Sequence, residues 1–189
     1  MSKNGDMPRI IGLAGHMAAG KDLSASILKR LGYARAAHSD ALRREVECAV
    51  RINMAPPSMP REMFMDLMAA TPSEVWSKPT SDRMRRILQF WGTEFRRAED
   101  PDYWVKRVDE FMSGDTKYVI SDVRFINEAE LVWKRGGEVW RIDRGVPADK
   151  NLNHISEAMG FPVDRVIDNR GTVEHLEEQL YAALNVVLK

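Results

Sequence analysis

Apolar residues recur along this chain in two styles: short unbroken runs, and longer stretches with spacings of three and four. Arg9–Leu13 is of the first kind and predicts a buried strand. From Lys21 to Leu31 the residues Leu23, Ile27, Leu28 and Leu31 share one face of a predicted helix, which Gly32 stops. Tyr33–Ala37 predicts a weaker second strand, and Asp40 to about Ile52 a helix with Leu42, Val46 and Val50 spaced by four. Ser81 opens a strongly amphipathic helix to about Arg97. Its stripe is Met84, Ile87, Leu88, Trp91 and Phe95, with Arg85, Arg86 and Gln89 off it. Asp100-Pro101 starts another helix, continuing to about Met112. Lys117–Ser121 predicts a strand, Ile126–Arg135 a helix stopped by Gly136-Gly137, and Glu138–Ile142 an alternating strand. Val166-Ile167 is the centre of a last strand. Thr172 caps a final helix carrying Val173, Leu176, Leu180, Leu184 and Val187.

Strands that alternate with helices predict an α/β fold, a parallel sheet of about five strands with helices on both faces. Residues 53–81 break the rhythm: NMAPPSMP, a Met-rich helix near Arg61–Ala69, then Thr71-Pro72-Ser73-Glu74, which has the form of a capping box. The expectation is one domain over residues 1–189, with 53–81 as a helical insertion whose methionines serve packing. Ligands of parallel sheets bind beyond the carboxyl ends of the strands. The stretch after Leu13, Asp122 and Arg144 all fall there.

Composition narrows this further. The 189 residues are 44% hydrophobic and 30% charged, enough for a sizeable core. No apolar run approaches the roughly 20 residues of a membrane helix, and MSKNGDMPR lacks the apolar stretch of a signal peptide. A cytoplasmic location without a membrane partner is expected. The one cysteine, Cys48, excludes an internal disulfide and reads as a buried or half-buried helix residue, not a nucleophile. The 28 basic and 28 acidic residues balance, which counts against a protein that coats nucleic acid. Yet arginine clusters locally, at 83, 85 and 86, at 96 and 97, and at 124, 141 and 144. Such clusters suit a small polyanion, although solvated helix faces account equally well for any one of them. Trp91, Trp104 and Trp133 are expected in the core.

The chemistry concentrates in Gly15-His16-Met17-Ala18-Ala19-Gly20-Lys21-Asp22, between a predicted strand and a predicted helix. Such a loop turns successive backbone N–H groups toward phosphate oxygens. The following helix adds its positive end, and the lysine a mobile charge. Gly-x4-Gly-Lys-Asp arises by chance in well under about 1% of chains this long. Asp22 stands where a serine or threonine usually ligates Mg²⁺. Its carboxylate is also a hard ligand, and the alternative is a first-turn carboxylate favoured by the helix dipole. Tyr118-Val119-Ile120-Ser121-Asp122 has the form of an apolar strand delivering a carboxylate to a metal, and Arg124 follows within reach of transferring phosphate.

Four stretches together, GLAGHMAAGKD, RRILQFWGTEFRRAEDPDYWVKR, YVISDVRFINEAE and HISEAMGFPVDRVIDNRGTVEHLEEQL, resemble the phage-type deoxynucleoside monophosphate kinases, a branch of the P-loop nucleotide kinases. Residues 53–80 are the part least matched. The family also carries Gly-Lys-Asp in its loop. The resemblance implies a three-layer P-loop kinase fold. It further implies transfer of the ATP γ-phosphoryl group to a deoxynucleoside monophosphate with Mg²⁺, giving the diphosphate. Gly15–Asp22 match the ATP phosphate loop, and Arg144 a basic residue near the lid over ATP. With the residue chemistry above, Lys21, Asp122, Arg124 and Arg144 are the expected catalytic residues, with Asp22 and Asp122 on the metal side. Asp40, Arg43, Arg86 and Gln89 match acceptor positions, with alanine at 41 and arginine at 43 replacing the family's proline and lysine. His154, Ser156 and Glu157 match a motif to which no role is assigned.

Two other functions compete. A related P-loop kinase phosphorylates hydroxymethyluracil within phage DNA, which would make DNA the partner. A nucleotide-binding module without turnover would bind ATP and release no acceptor-dependent ADP. Base selectivity is not readable from the sequence, and a homodimer is compatible with it. A viral origin would place the protein in a host cytoplasm.

Overall fold

A computed structural model describes residues 7–145 and 160–186; the expectations for His154, Ser156, Glu157 and Val187 lie outside them. The chain divides into two compact units, Met1–Ala37 with Asp109–Lys189, and His38–Val108. The strands are β1 (Ile10–Ala14), β2 (Ala34–Ala36), β3 (Tyr118–Ile120), β4 (Glu138–Asp143) and β5 (Arg165–Asp168). The helices are α1 (Lys21–Arg30), α2 (His38–Ile52), α3 (Arg61–Met68), α4 (Pro72–Trp76), α5 (Asp82–Gln89), α6 (Tyr103–Phe111), α7 (Ile126–Lys134) and α8 (Val173–Ala183).

All strands lie in the first unit, in the order β2-β3-β1-β4-β5. Every neighbouring pair is parallel: Gly12 faces Ile120 of β3 and Val139 of β4, while Ile142 of β4 faces Ile167 of β5. The expected α/β architecture with about five parallel strands is the observed one. β1 is buried along its whole length, the pattern of a strand covered on both faces. Alternation along it assigns the two faces. Ile11 and Leu13 join Trp140, Ile142, Ile27 and Leu28 of α1, and Leu176 and Leu180 of α8 in one cluster. Gly12 points the other way, where an added Cβ would come within 2.9 Å of Val132 on α7.

The second unit is helical. Its core gathers Val46 and Val50 of α2, Leu67 of α3, Val75 of α4 and Met84, Ile87 and Leu88 of α5. Residues 53–81 are thus one part of a larger helical unit. The capping box forms: Thr71 N–H donates to Glu74 Oε2 at 2.7 Å, and Glu74 N–H to Thr71 Oγ1 at 3.4 Å.

Four local expectations differ from the structure. The helix predicted over 81–97 is α-helical only to Gln89 and continues as a π-helix, Phe90–Arg97. The Gly92 carbonyl is taken from outside the helix by Trp104 Nε1 at 2.9 Å, and Phe90, Trp91 and Gly92 are buried in succession. Leu23 is 38% exposed, and Ser24 and Ala25 stand in its place on the buried face of α1. Cys48 is exposed: α2 buries Val46, Ala49 and Val50, and position 48 lies some 200° around the helix from 46. Trp91 and Trp104 are core residues, whereas Trp133 is half-buried and donates to Asp164 at 2.8 Å.

Tyr33, just before β2, couples the first unit to pH. Burial, and then the Glu138 carboxylate, push its phenol up to about 12 from 10.0, and its hydroxyl donates to the Pro8 carbonyl at 2.6 Å. Deprotonation favours the unfolded chain first, so the Tyr33 contribution is fully present below pH 10 and is lost as pH rises toward 12. The stability difference between wild type and Tyr33→Phe in urea titrations should therefore be flat up to pH 10 and shrink above it.

Candidate active site

In the first unit the strand order reverses at β1, which has β3 on one side and β4 on the other. That switch point is where parallel sheets open a crevice at their carboxyl ends. The chain leaves β1 there as the glycine loop and re-enters regular structure as α1. Gly15 has φ +142°, and a Cβ on it would stand 2.7 Å from the Ile142 carbonyl oxygen. Gly20 has φ +102°, and its Cβ would stand 2.3 Å from Asn169 Nδ2. Both positions therefore demand glycine, for backbone conformation and for space.

The loop's carbonyls are held by donors from several places. Lys21 arches back and donates Nζ–H to Gly15 O at 2.6 Å and to His16 O at 2.8 Å. Arg144, just past β4, donates to Ala18 O at 3.2 Å. Asn169, just past β5, donates to Ala19 O at 2.7 Å. Ser24 binds Gly20 O through its N–H at 2.9 Å and its hydroxyl at 3.1 Å. The carbonyls of Gly15, His16, Ala18, Ala19 and Gly20 are thus engaged by donors, and no side chain caps the start of α1, the end of a helix at which negative charge is favoured.

Asp122 follows β3 and is fixed between two neighbouring strands. Ser121 N–H donates to Ala36 O at 3.1 Å, and Val123 N–H to Leu13 O at 3.0 Å. Its carboxylate thus belongs to the same sheet end as the loop. Arg124 is exposed, but its backbone N–H donates to Glu128 Oε2 at 2.7 Å, as does that of Phe125 at 3.2 Å. Phe125 opens α7 without an acceptor of its own, so the buried Glu128 three residues on reaches back to cap the helix. Asp143 sits at the end of β4. Its carboxyl is held below the ordinary range first by the Gly145 N–H, at 2.9 Å, and then by Arg170, at 2.5 Å.

Asp22, exposed in the first turn of α1, and Asp122 offer hard carboxylate oxygens. Among the described residues no group of three or more metal-binding side chains gathers. Two carboxylates completed by phosphate oxygens and water suit Mg²⁺, which rarely takes an all-protein cage.

The remaining expected site residues lie in the helical unit. Asp40 and Arg43 are three apart on α2, and Arg86 and Gln89 three apart and exposed on α5. Arg43 turns into its own unit: its guanidinium donates to the Val75 carbonyl and, at 2.8 Å, to Thr80 Oγ1. Burial draws its pKa below the ordinary value, opposed by Asp40. Arg86 pairs with Asp66 at 3.4 Å. Sequence reasoning missed Asn169 and Glu128. Asn169 was open to the rule that found Asp122, as the first residue past a parallel strand.

Gly15→Ala should cost about 1–3 kcal/mol, because a backbone oxygen stands where its Cβ would go and no side-chain rotation relieves the contact. Urea titration of both proteins measures the difference.

Residues 62–180 match the family described as deoxynucleotide monophosphate kinase. The match begins after the glycine loop, so the loop's geometry stands apart from it. The chain is similar to "Putative deoxynucleotide monophosphate kinase" of Acanthamoeba polyphaga mimivirus, 28% identical over 212 residues that cover 93% of this chain and 96% of the relative. Among solved structures it is similar to dephospho-CoA kinase from Campylobacter jejuni, with TM-score 0.45 and 12% identity over 94% of this chain and 96% of that one. A second is TT1252 from Thermus thermophilus, with TM-score 0.40 and 19% identity over 97% and 100%. No helix among the described residues is long and apolar enough to cross a membrane. The family match covers more than half of the sequence, and this chain, a kinase with a five-stranded parallel sheet, belongs to the deoxynucleotide monophosphate kinase family.

Proposed function

We propose that this kinase transfers the γ-phosphoryl group of ATP to the 5′-phosphate of a deoxynucleoside monophosphate, giving the diphosphate, with Mg²⁺ as cofactor. The observation that carries the reading is the glycine loop at the switch point, its carbonyls tied back by Lys21, Arg144, Asn169 and Ser24. Family membership supports the choice of acceptor.

Phosphoryl transfer asks little covalent chemistry of a protein. It asks that two polyanions be brought in line and that charge on the transferring group be neutralised. The amides of Gly15–Asp22 and the positive end of α1 bind the ATP phosphates, and Lys21 places its charge over the loop. Asp22 and Asp122 hold Mg²⁺, which when bound neutralises phosphate charge. Arg124, set by the Glu128 cap on its backbone, and Arg144, anchored on Ala18, bring guanidinium charge to the same end of the sheet. No general base is required, because the acceptor phosphate is already anionic. Asp40, Arg43, Arg86 and Gln89 are assigned to acceptor recognition through the family resemblance. Arg43 contributes by ordering residues 75–80 from within, through Val75 and Thr80.

The test is ADP formation from ATP and Mg²⁺ with the four common dNMPs, hydroxymethylated dUMP and DNA carrying hydroxymethyluracil. Turnover on one or more mononucleotides is expected. Lys21→Ala should lower kcat/KM by about 10²–10³-fold, the scale of one lost transition-state donor. Turnover on the DNA alone would make this a DNA-modifying kinase, and ATP binding without acceptor-dependent ADP release would leave a binding module.

A further inference from the structure

Asn169 is a buried polar side chain that ties back one carbonyl of the glycine loop. It is 8% exposed and stands one residue beyond β5, where its N–H still donates to Asp143 O of β4 at 2.7 Å. The sheet therefore fixes where its side chain begins. From there the amide crosses to the glycine loop, donates to Ala19 O at 2.7 Å, and lies so close to Gly20 that no Cβ fits between them.

The geometry points to Asn169 as a positioning residue for nucleotide binding, which orients the Ala19–Gly20 peptide so that its N–H faces the phosphate. The reason is the planarity of the trans peptide, which sets the Ala19 carbonyl and the Gly20 N–H in opposite directions. Anchoring the oxygen on a group built into the sheet sends the N–H the other way. Gly20 has φ +102°, a region in which glycine has wide freedom, so the local chain does not hold this peptide by itself. An external anchor has to. The residue type fits the task. An amide donates without carrying charge, whereas a carboxylate of the same size would face a carbonyl oxygen and add negative charge beside a polyphosphate. Serine or alanine would fall short of Ala19.

This inference rests on the reading that the loop holds nucleotide phosphates, and the two can fail separately. The experiment is calorimetric titration of the full chain with Mg·ADP, for wild type, Asn169→Ala and Asn169→Asp, beside thermal melts and the KM for the acceptor dNMP. Asn169→Ala should weaken Mg·ADP about tenfold, the scale of one well-placed hydrogen bond. Asn169→Asp should weaken it about a hundredfold or more, since it adds charge repulsion to the lost donor. The acceptor KM should move less than about twofold in both. A role confined to folding would lower the melting temperature and leave Mg·ADP affinity unchanged in the folded protein, which overturns the assignment. Loss of folding in both variants, including the isosteric aspartate, also overturns a local bracing role. A wild type that does not bind Mg·ADP would remove the phosphate-loop reading itself.

Discussion

A backbone N–H and the carbonyl bonded to it point in opposite directions, so a loop cannot offer its amides to an anion unless its oxygens are accommodated elsewhere. The glycine loop meets this demand with four donors drawn from three separate stretches of sequence. Lys21 and Ser24 come from α1, Arg144 from the end of β4, and Asn169 from the end of β5. Their convergence requires the parallel order in which β4 and β5 lie beside β1. That order in turn depends on burying β1 from both faces, with Ile11 and Leu13 on one side and Gly12 against Val132 on the other. The sheet is the device that places donors around a turn.

Charge follows the same logic. The protein is neutral overall, and many of its arginines are engaged in making the fold. Arg96 lies against the Phe95 and Tyr103 rings and pairs with Glu45, to which the Tyr103 hydroxyl also donates at 3.0 Å. Arg43 and Arg83 tie down the stretch around α4, the latter through Glu74 at 2.6 Å. A cluster of arginines in sequence is therefore not a cluster in space. The arginines of the sheet end, Arg124 and Arg144, are distinguished by which backbone they sit on, not by local composition.

Elements set by local pattern were legible in the sequence. The five strands, the stop at Gly32, the capping box at Thr71 and the position of Asp122 beyond β3 follow from periodicity and turn chemistry, and the structure places them within a few residues. What escaped notice depends on partners distant in sequence. The π winding after Gln89 goes with Trp104 claiming the Gly92 carbonyl from another helix. Arg43 matches an acceptor position in the sequence, and its bonds to Val75 and Thr80 exist only because the fold brings residues more than 30 positions away to it. Asn169 meets Gly20, 149 positions earlier by number, only once β5 takes its place in the sheet. Leu23 lies exposed because three- and four-residue spacing defines a stripe and leaves its rotation to the partner surface, whereas Cys48 stands off the stripe of Val46 and Val50.

The central claim, that a loop with its oxygens tied back binds nucleotide phosphate on its amides, is most directly tested by the backbone amide shifts of Gly15–Asp22 under titration with Mg·ADP. The Gly20, Lys21 and Asp22 amide protons should move downfield together and saturate with the binding isotherm, as hydrogen bonds to phosphate require. Saturable binding that leaves these amides unmoved and shifts residues elsewhere would contradict it.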